Sequence, residues 1–131
     1  MIPPVPEPDD PEYAEKMRLR ELVTQFMIHT PCENNDQAYC RKGQKGKKRR
    51  CSKWFPHEFN PETTFNEDGY VKYKRPADGE FVDKIVTRDV QKPDGTMERE
   101  KKTVRADNRH VVAYSPELLL RFGTHINVEV R

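Results

Sequence analysis

Long apolar runs are missing from this sequence. No stretch approaches the roughly 20 consecutive apolar residues that a membrane-spanning helix needs. The opening MIPPVPEPDD is acidic and proline-rich, and it lacks the basic start and apolar run of a secretory signal. Apolar residues are scarce in general, at 34% of the 131 residues against 35% charged, with eleven prolines. A soluble domain usually carries close to half apolar residues, so only a modest core can form and much of the chain must be surface or loop. An excess of one charge is absent too. The net charge of +2 is too small to argue for a nucleic-acid partner by itself. Cysteine is sparse and odd in number, at three. That count favours reduced, intracellular thiols or metal ligands over a disulfide framework, which stays as the minor alternative.

Catalytic signatures are also missing. There is no Gly-rich phosphate loop, no H-E-x-x-H, no G-x-S-x-G and no histidine pair around a hydrophobic residue. Cys32 with His29 would be a nucleophile and base in name, but helix-end neighbours of this kind are usually metal ligands or neither. His110 and His125 lie in strand-like segments and read as structural or surface residues. Asp107 and Asn108 read as a turn before a strand. No catalytic residue is assigned.

What is present divides the chain. Residues 1–10 read as an extended, solvated lead-in. Asp9, Asp10 and Pro11 make a helix start, with Asp as the cap and Pro11 at the first helical position, where no N–H is needed. Over 11–28, Leu19, Leu22, Val23, Phe26 and Met27 recur at helical spacing, which predicts an amphipathic helix. Residues 29–61 hold all three cysteines, two histidines and a dense basic run, with few helix or strand signals. In 62–131, Asp68-Gly69 marks a turn and GYVKYKRP a short strand. Residues 80–105 read as an antiparallel hairpin about Pro93-Asp94-Gly95, with one face wet because the second arm is so charged. The end reads as strand–helix–strand: Val111, Val112 and Tyr114, then a helix opened by Ser115-Pro116 and closed by Gly123, then HINVEV with Ile126, Val128 and Val130 on one face. The expected class is α+β.

His29, Cys32, Cys40 and Cys51 supply four ligand types within 23 residues, with His57 as a spare. Zinc favours four nitrogen or sulfur ligands, and in a loop-rich segment a metal can supply folding energy that the core lacks. The paired knuckles of a standard finger are absent and the loops are large. Spacing alone therefore leaves open both a structural zinc site and three unrelated thiols with surface histidines. Between Cys40 and Cys51 runs Arg41-Lys42-Gly43-Gln44-Lys45-Gly46-Lys47-Lys48-Arg49-Arg50, seven positive charges in ten residues with no acid. Such a run repels itself and suits a polyanion, with DNA or RNA phosphates as the obvious partner through counterion release. A solvated loop and a nuclear-import signal are the competing readings. Trp54 and Phe55 follow closely and could stack on bases, although such residues are more often core.

Five blocks then occur in order: M-I-H-T-P-C at 27–32, C-S-K-W-F-P-H-E-F at 51–59, N-E-D-G-Y-V-K-Y-K-R at 66–75, D-N-R-H-V-V-A-Y-S-P-E-L-L-L at 107–120 and H-I-N-V-E-V at 125–130. Together they resemble the central stretch of the Helitron helicase-like domain of eukaryotic Helitron transposons, over residues 27–131. No block alone would suffice. Thr30, Ala113, Ser115 and His57 depart from the family's usual residues, and the hairpin at 80–105 is longer than expected, as in a diverged copy. The resemblance implies a rolling-circle replication-initiator nuclease fused to a helicase, acting in the nucleus on DNA, chiefly single-stranded. It also implies that the metal-binding histidine motif lies upstream of these residues and the nucleophilic tyrosines downstream. The chain is then expected to be an incomplete domain, inactive alone, supplying scaffold and DNA contacts to the rest of the transposase. His29, Cys32, Cys40 and Cys51 match the family's cysteine-bearing segment, which strengthens the zinc reading. Arg41, Lys42, Lys45, Lys47, Lys48, Arg49, Arg50 and Trp54 are the expected nucleic-acid contacts. The alternative function is a freestanding small zinc-dependent nucleic-acid-binding or adaptor protein derived from a transposon.

Overall fold

A computed structural model describes residues 1–33, 38–41, 50–65, 67–69 and 71–128. The class is α+β, as expected, with two helices and two separate two-stranded antiparallel sheets among the described residues. No described helix is long and apolar enough to cross a membrane.

Helix α1 runs Tyr13–Phe26. It starts two residues later than the Asp-Pro signal predicts, with Glu12 at the N-cap and no side-chain cap. The Asp10 carboxylate works one step earlier, accepting the Glu12 N–H at 2.8 Å and the Lys16 ammonium at 2.6 Å. The predicted apolar stripe is real. Leu22, Val23 and Met27 are buried, and Leu19 and Phe26 pack beside them. Helix α2, Pro116–Phe122, forms where the capping residues put it. Ser115 caps its N-terminus, Pro116 takes a position that lacks an N–H partner anyway, and Gly123 closes it at φ 63°. Leu119 from α2, Val111 and Ile2 complete the buried cluster. Each of these large apolar side chains contributes roughly 1.5–3 kcal/mol by leaving water.

The lead-in is extended but not wholly solvated. Ile2 is buried in the core, its N–H bonds Asn108 Oδ1 at 2.8 Å, and Arg20 reaches back to the Pro3 carbonyl at 2.6 Å.

Strands β1, Thr64–Phe65, and β2, Val71–Lys72, pair around the predicted Asp68-Gly69 turn, where Gly69 has φ 82°. An Asn60–Arg75 bridge extends that ribbon. Strands β3, Val82–Gln91, and β4, Met97–Ala106, form the predicted hairpin over ten paired positions. Its turn closes by Lys92 N–H to Thr96 carbonyl, with Asp94 Oδ1 accepting from the Thr96 backbone and hydroxyl and Gly95 at φ 85°. Only its base is anchored. Val82 packs on the core, Ala106 is buried, and Lys84 donates to the Thr24 carbonyl at the end of α1.

The strands expected on either side of α2 are much reduced. Val111 makes a single bridge, to Ile28. His125–Val128 has no strand, and Val128 N–H to Ala113 carbonyl at 3.2 Å is its one backbone bond to that segment. Alternating apolar residues need a partner strand to become a ladder, and here they face irregular chain. Residues 129–131 lie outside the described residues.

Candidate metal centre

The end of α1 delivers the first ligand. Past Met27 the chain turns extended and pairs with the segment after the 3-10 turn Asn108–His110: His29 N–H bonds His110 carbonyl at 2.8 Å, and Val112 N–H bonds Met27 carbonyl at 2.8 Å. His29 and Cys32 are thereby pinned against the core. Cys40 sits in a one-turn 3-10 helix, Tyr39–Arg41, and its carbonyl accepts the Ser52 N–H at 2.9 Å. That bond brings Cys51 beside Cys40 although ten residues separate them.

The ligand atoms of His29, Cys32, Cys40 and Cys51 all lie within 4.8 Å of one another. Cys51 Sγ stands 3.4 Å from His29 Nε2. A tetrahedral zinc with its usual bond lengths would hold neighbouring ligand atoms roughly 3.5–3.8 Å apart. The set therefore fits zinc with small adjustments. All three thiols are free, and Cys32 and Cys51 are buried. Four protein ligands fill a tetrahedron and leave no open position for a substrate, which is the signature of a structural rather than a catalytic site. His57, the spare, stays out of the cluster; its ring stands edge-on to Phe55, whose other face stacks on His29 at 4.5 Å.

The electrostatics suit a cation. Burial, then the neighbouring Cys32 and Cys51 sulfurs, pushes the Cys40 thiol up to about 12. Burial would also raise Cys51, but backbone N–H groups of Phe55 and Lys53 donate to its sulfur and bring it below the ordinary thiol value. Burial, with His110, Arg41 and Lys53 nearby, lowers His29 and favours the neutral imidazole that a metal requires. Three grouped sulfurs cannot all ionise without a compensating charge, and a divalent cation supplies it.

Behind the ligands lies a polar network that spacing did not reveal. His110 is buried; its Nδ1 accepts from Asp107 N–H at 3.1 Å and its Nε2 faces Glu33 Oε1 at 2.8 Å. Arg109 grips Asp107 through Nε at 3.0 Å and Nη2 at 2.9 Å. Buried Arg75 donates to the Asn108 and Val111 carbonyls at 2.7 and 2.8 Å. Asn108 bonds Pro76 carbonyl at 2.9 Å, and a Cβ on Gly79 would collide with its side-chain amide. His110 is a buried structural residue, but it sits in the 3-10 turn Asn108–His110 and not in the strand-like segment expected for it. Asp107 and Asn108 do make a turn, yet they are also the hub of this network.

Of the expected nucleic-acid contacts, Arg41 and Arg50 flank the cluster, and Trp54 is 68% exposed. The Cys32 sulfur beside it holds the Arg41 guanidinium above its usual pKa. Lys42, Lys45, Lys47, Lys48 and Arg49 lie outside the described residues. Trp54 is the one non-glycine residue described with positive φ, at 63°. A bulky side chain there costs of order 1–3 kcal/mol. Its N–H bonds Cys51 carbonyl at 3.0 Å, so the turn that presents Cys51 also sets Trp54 in the open.

Compared with protein-family models, curated proteins and solved structures, the chain matches nothing. The family reading therefore rests on the five ordered sequence blocks.

Proposed function

We propose that the chain is a zinc-stapled scaffold segment of a Helitron-type rolling-circle transposase, working in the nucleus, that contacts DNA and carries no catalytic residue of its own. The observation that carries this reading is the convergence of His29, Cys32, Cys40 and Cys51 from three separate stretches of chain. A second observation supports the family. The resembling blocks meet one another in space. Residues 27–32 pair with 107–112 through His29 and Val112, and His57 N–H bonds Arg109 carbonyl at 3.0 Å, joining 51–59 to the same segment. Arg75, from the 66–75 block, caps its carbonyls. A metal that ties the first block to the second, with backbone hydrogen bonds joining both to the fourth, would set their relative positions, as a scaffold between catalytic motifs requires. The basic run between Cys40 and Cys51 supplies the phosphate contacts.

The test combines metal analysis with binding. Purified chain should hold one zinc, and replacing Lys47, Lys48, Arg49 and Arg50 with Ala should weaken single-stranded DNA binding and flatten its salt dependence by up to about four phosphate contacts. Absence of stoichiometric metal sinks the staple, and an unchanged salt slope sinks the basic run. Strand cleavage by this chain alone would overturn the non-catalytic assignment. A freestanding adaptor becomes the better reading if the 131-residue chain is a stable monodisperse protein and the neighbouring coding sequence encodes neither a histidine pair nor a tyrosine motif.

A further inference from the structure

Beside the metal centre opens a groove of about 1270 Å³. One wall is the stretch from Lys53 to Asn60, the other carries Asp68, Gly69, Val71, Lys72, Tyr73 and Arg75, and Val112, Ala113, His125 and Asn127 complete the lining. A pocket for a compact small molecule is typically about 300–1,000 Å³. This one is larger and open to solvent, a shape suited to an extended ligand.

Its most unusual lining residue is Trp54. A tryptophan normally buries its large ring. Here it is exposed and held in a left-handed backbone conformation that side chains rarely adopt. Strain of this kind persists where the surroundings enforce it, and it clusters at binding sites. The surroundings here are the Cys51 turn, whose carbonyl takes the Trp54 N–H, and the next ring, Phe55, stacked on the ligand His29. Farther along the same wall, Phe59 is exposed with the Arg109 guanidinium 4.7 Å from its ring centre. Lys53 and Lys72 flank the groove, together with the acids Glu58 and Asp68.

We infer that this groove is a subsite for an unpaired nucleobase strand, with Trp54 as the stacking platform, and that the neighbouring metal centre holds the platform in position. The inference rests on the reading of the chain as a metal-stapled, DNA-contacting module. Exposed rings bind bases of any sequence by their faces, with cations alongside for the phosphates. Only an unpaired strand offers those faces; a duplex keeps them stacked. The choice of a polyanion over an apolar peptide comes from the chain that leads into the wall. Arg41 to Arg50 carry seven positive charges and no acid, and both ends are fixed by the cluster ligands Cys40 and Cys51, three residues from Trp54.

Trp54 is the only tryptophan, so its fluorescence reports the subsite directly. The experiment uses the full 131-residue chain with zinc, after metal content and circular dichroism have established that it is loaded and folded. Failure at that stage concerns the staple, not the groove. Oligothymidylate is then titrated in. Fluorescence should quench on binding. Trp54→Ala should weaken affinity between about 5-fold and about 150-fold, the range for loss of one base stack, while Trp54→Phe keeps most of it. Lys53→Ala with Lys72→Ala should lower the salt slope. Duplex of equal length should bind without quenching. The inference is overturned if the folded, loaded chain binds oligothymidylate without quenching and Trp54→Ala changes nothing, since the basic run then acts alone. It is overturned equally if duplex quenches as well as the single strand, or if no oligonucleotide binds and a proline- or aromatic-rich peptide quenches instead.

Discussion

Asp107 shows how much one side chain can organise. Its carboxylate accepts the Arg109 backbone N–H at 2.9 Å and the Arg109 guanidinium twice, and caps the 3-10 turn that ends at His110. Burial alone would raise its pKa, but the Arg109 hydrogen bonds outweigh burial and lower it from the usual 3.8. The sign follows. A carboxyl held lower in the folded than in the unfolded chain adds stability above the unfolded value and loses it as pH falls through the folded one. Asp107→Asn keeps a capping oxygen and gives up the charge. It should cost about 1–2 kcal/mol near neutral pH, and progressively less as pH falls through the lowered folded value and the wild-type carboxyl takes up its proton. Denaturant unfolding of both proteins at neutral pH and along an acid series checks this. Ligand protonation in acid affects both alike and cancels in the difference. A gap that persists unchanged in acid would mean that the cap, not the charge, is what counts. None of this was legible beforehand. The sequence signal at Asp107-Asn108 is a turn, and the partners that turn it into a hub lie far away, with Glu33 77 residues from His110 and Arg75 33 from Asn108.

Among the elements, those with local instructions were legible and those needing a distant partner were not. The β3–β4 hairpin carries its own turn chemistry at Pro93-Asp94-Gly95, and α2 its own caps at Ser115 and Gly123, so both form where expected. The stretch HINVEV alternates just as well, but alternation is silent about what lies opposite, and no ladder receives it among the described residues. The helix start slipped because two candidate caps stand side by side, and Asp10 bonds the Glu12 N–H ahead of the first turn. The hairpin also shows that a legible element need not be an important one. From Arg88 to Gln91 and from Met97 to Thr103 nearly every side chain is exposed. Its cross-strand pairs there, Asp89–Arg99 at 3.7 Å and Lys92–Glu98 at 3.1 Å, are surface ion pairs of the kind worth about 0–1 kcal/mol. A two-stranded ribbon beyond its anchor is marginal in water. Replacing residues 88–100 with a short Asn-Gly turn should therefore change unfolding free energy by less than about 1 kcal/mol, provided the base at Val82, Lys84 and Ala106 is left alone. A loss of several kcal/mol in chemical denaturation would show that the outer ribbon does more than project into solvent.

For the molecule as a whole the governing fact is the size of the core. The buried cluster is Ile2, Leu22, Val23, Met27, Val111 and Leu119, with partly buried neighbours from α1, α2 and the base of β3. The cysteines are not part of it; around them stand the stacked rings of His29 and Phe55. The described residues of 29–61 add only Cys32 and Cys51 to the buried apolar set, which is why their pattern gave few helix or strand signals and the ligand types stood out. The staple has a thermodynamic consequence. A metal that binds the folded chain alone stabilises it by about 4 kcal/mol when free metal is a thousandfold above its dissociation constant. For a chain of this length that corresponds to a rise of roughly 10–20 °C in melting temperature. Zinc-loaded chain should therefore melt at least about 10 °C above chain held in excess chelator. Cys40→Ser and Cys51→Ser should each abolish most of the zinc dependence, because three ligands bind far more weakly than four. Trp54 fluorescence should shift with the same zinc midpoint, since the turn at Cys51 sets both. Calorimetry across a zinc titration decides the matter. If the wild-type melting temperature is the same in zinc and in chelator, the small core holds residues 29–61 unaided and the cluster is not a staple. If it rises in both wild type and Cys51→Ser, zinc is binding elsewhere on the chain.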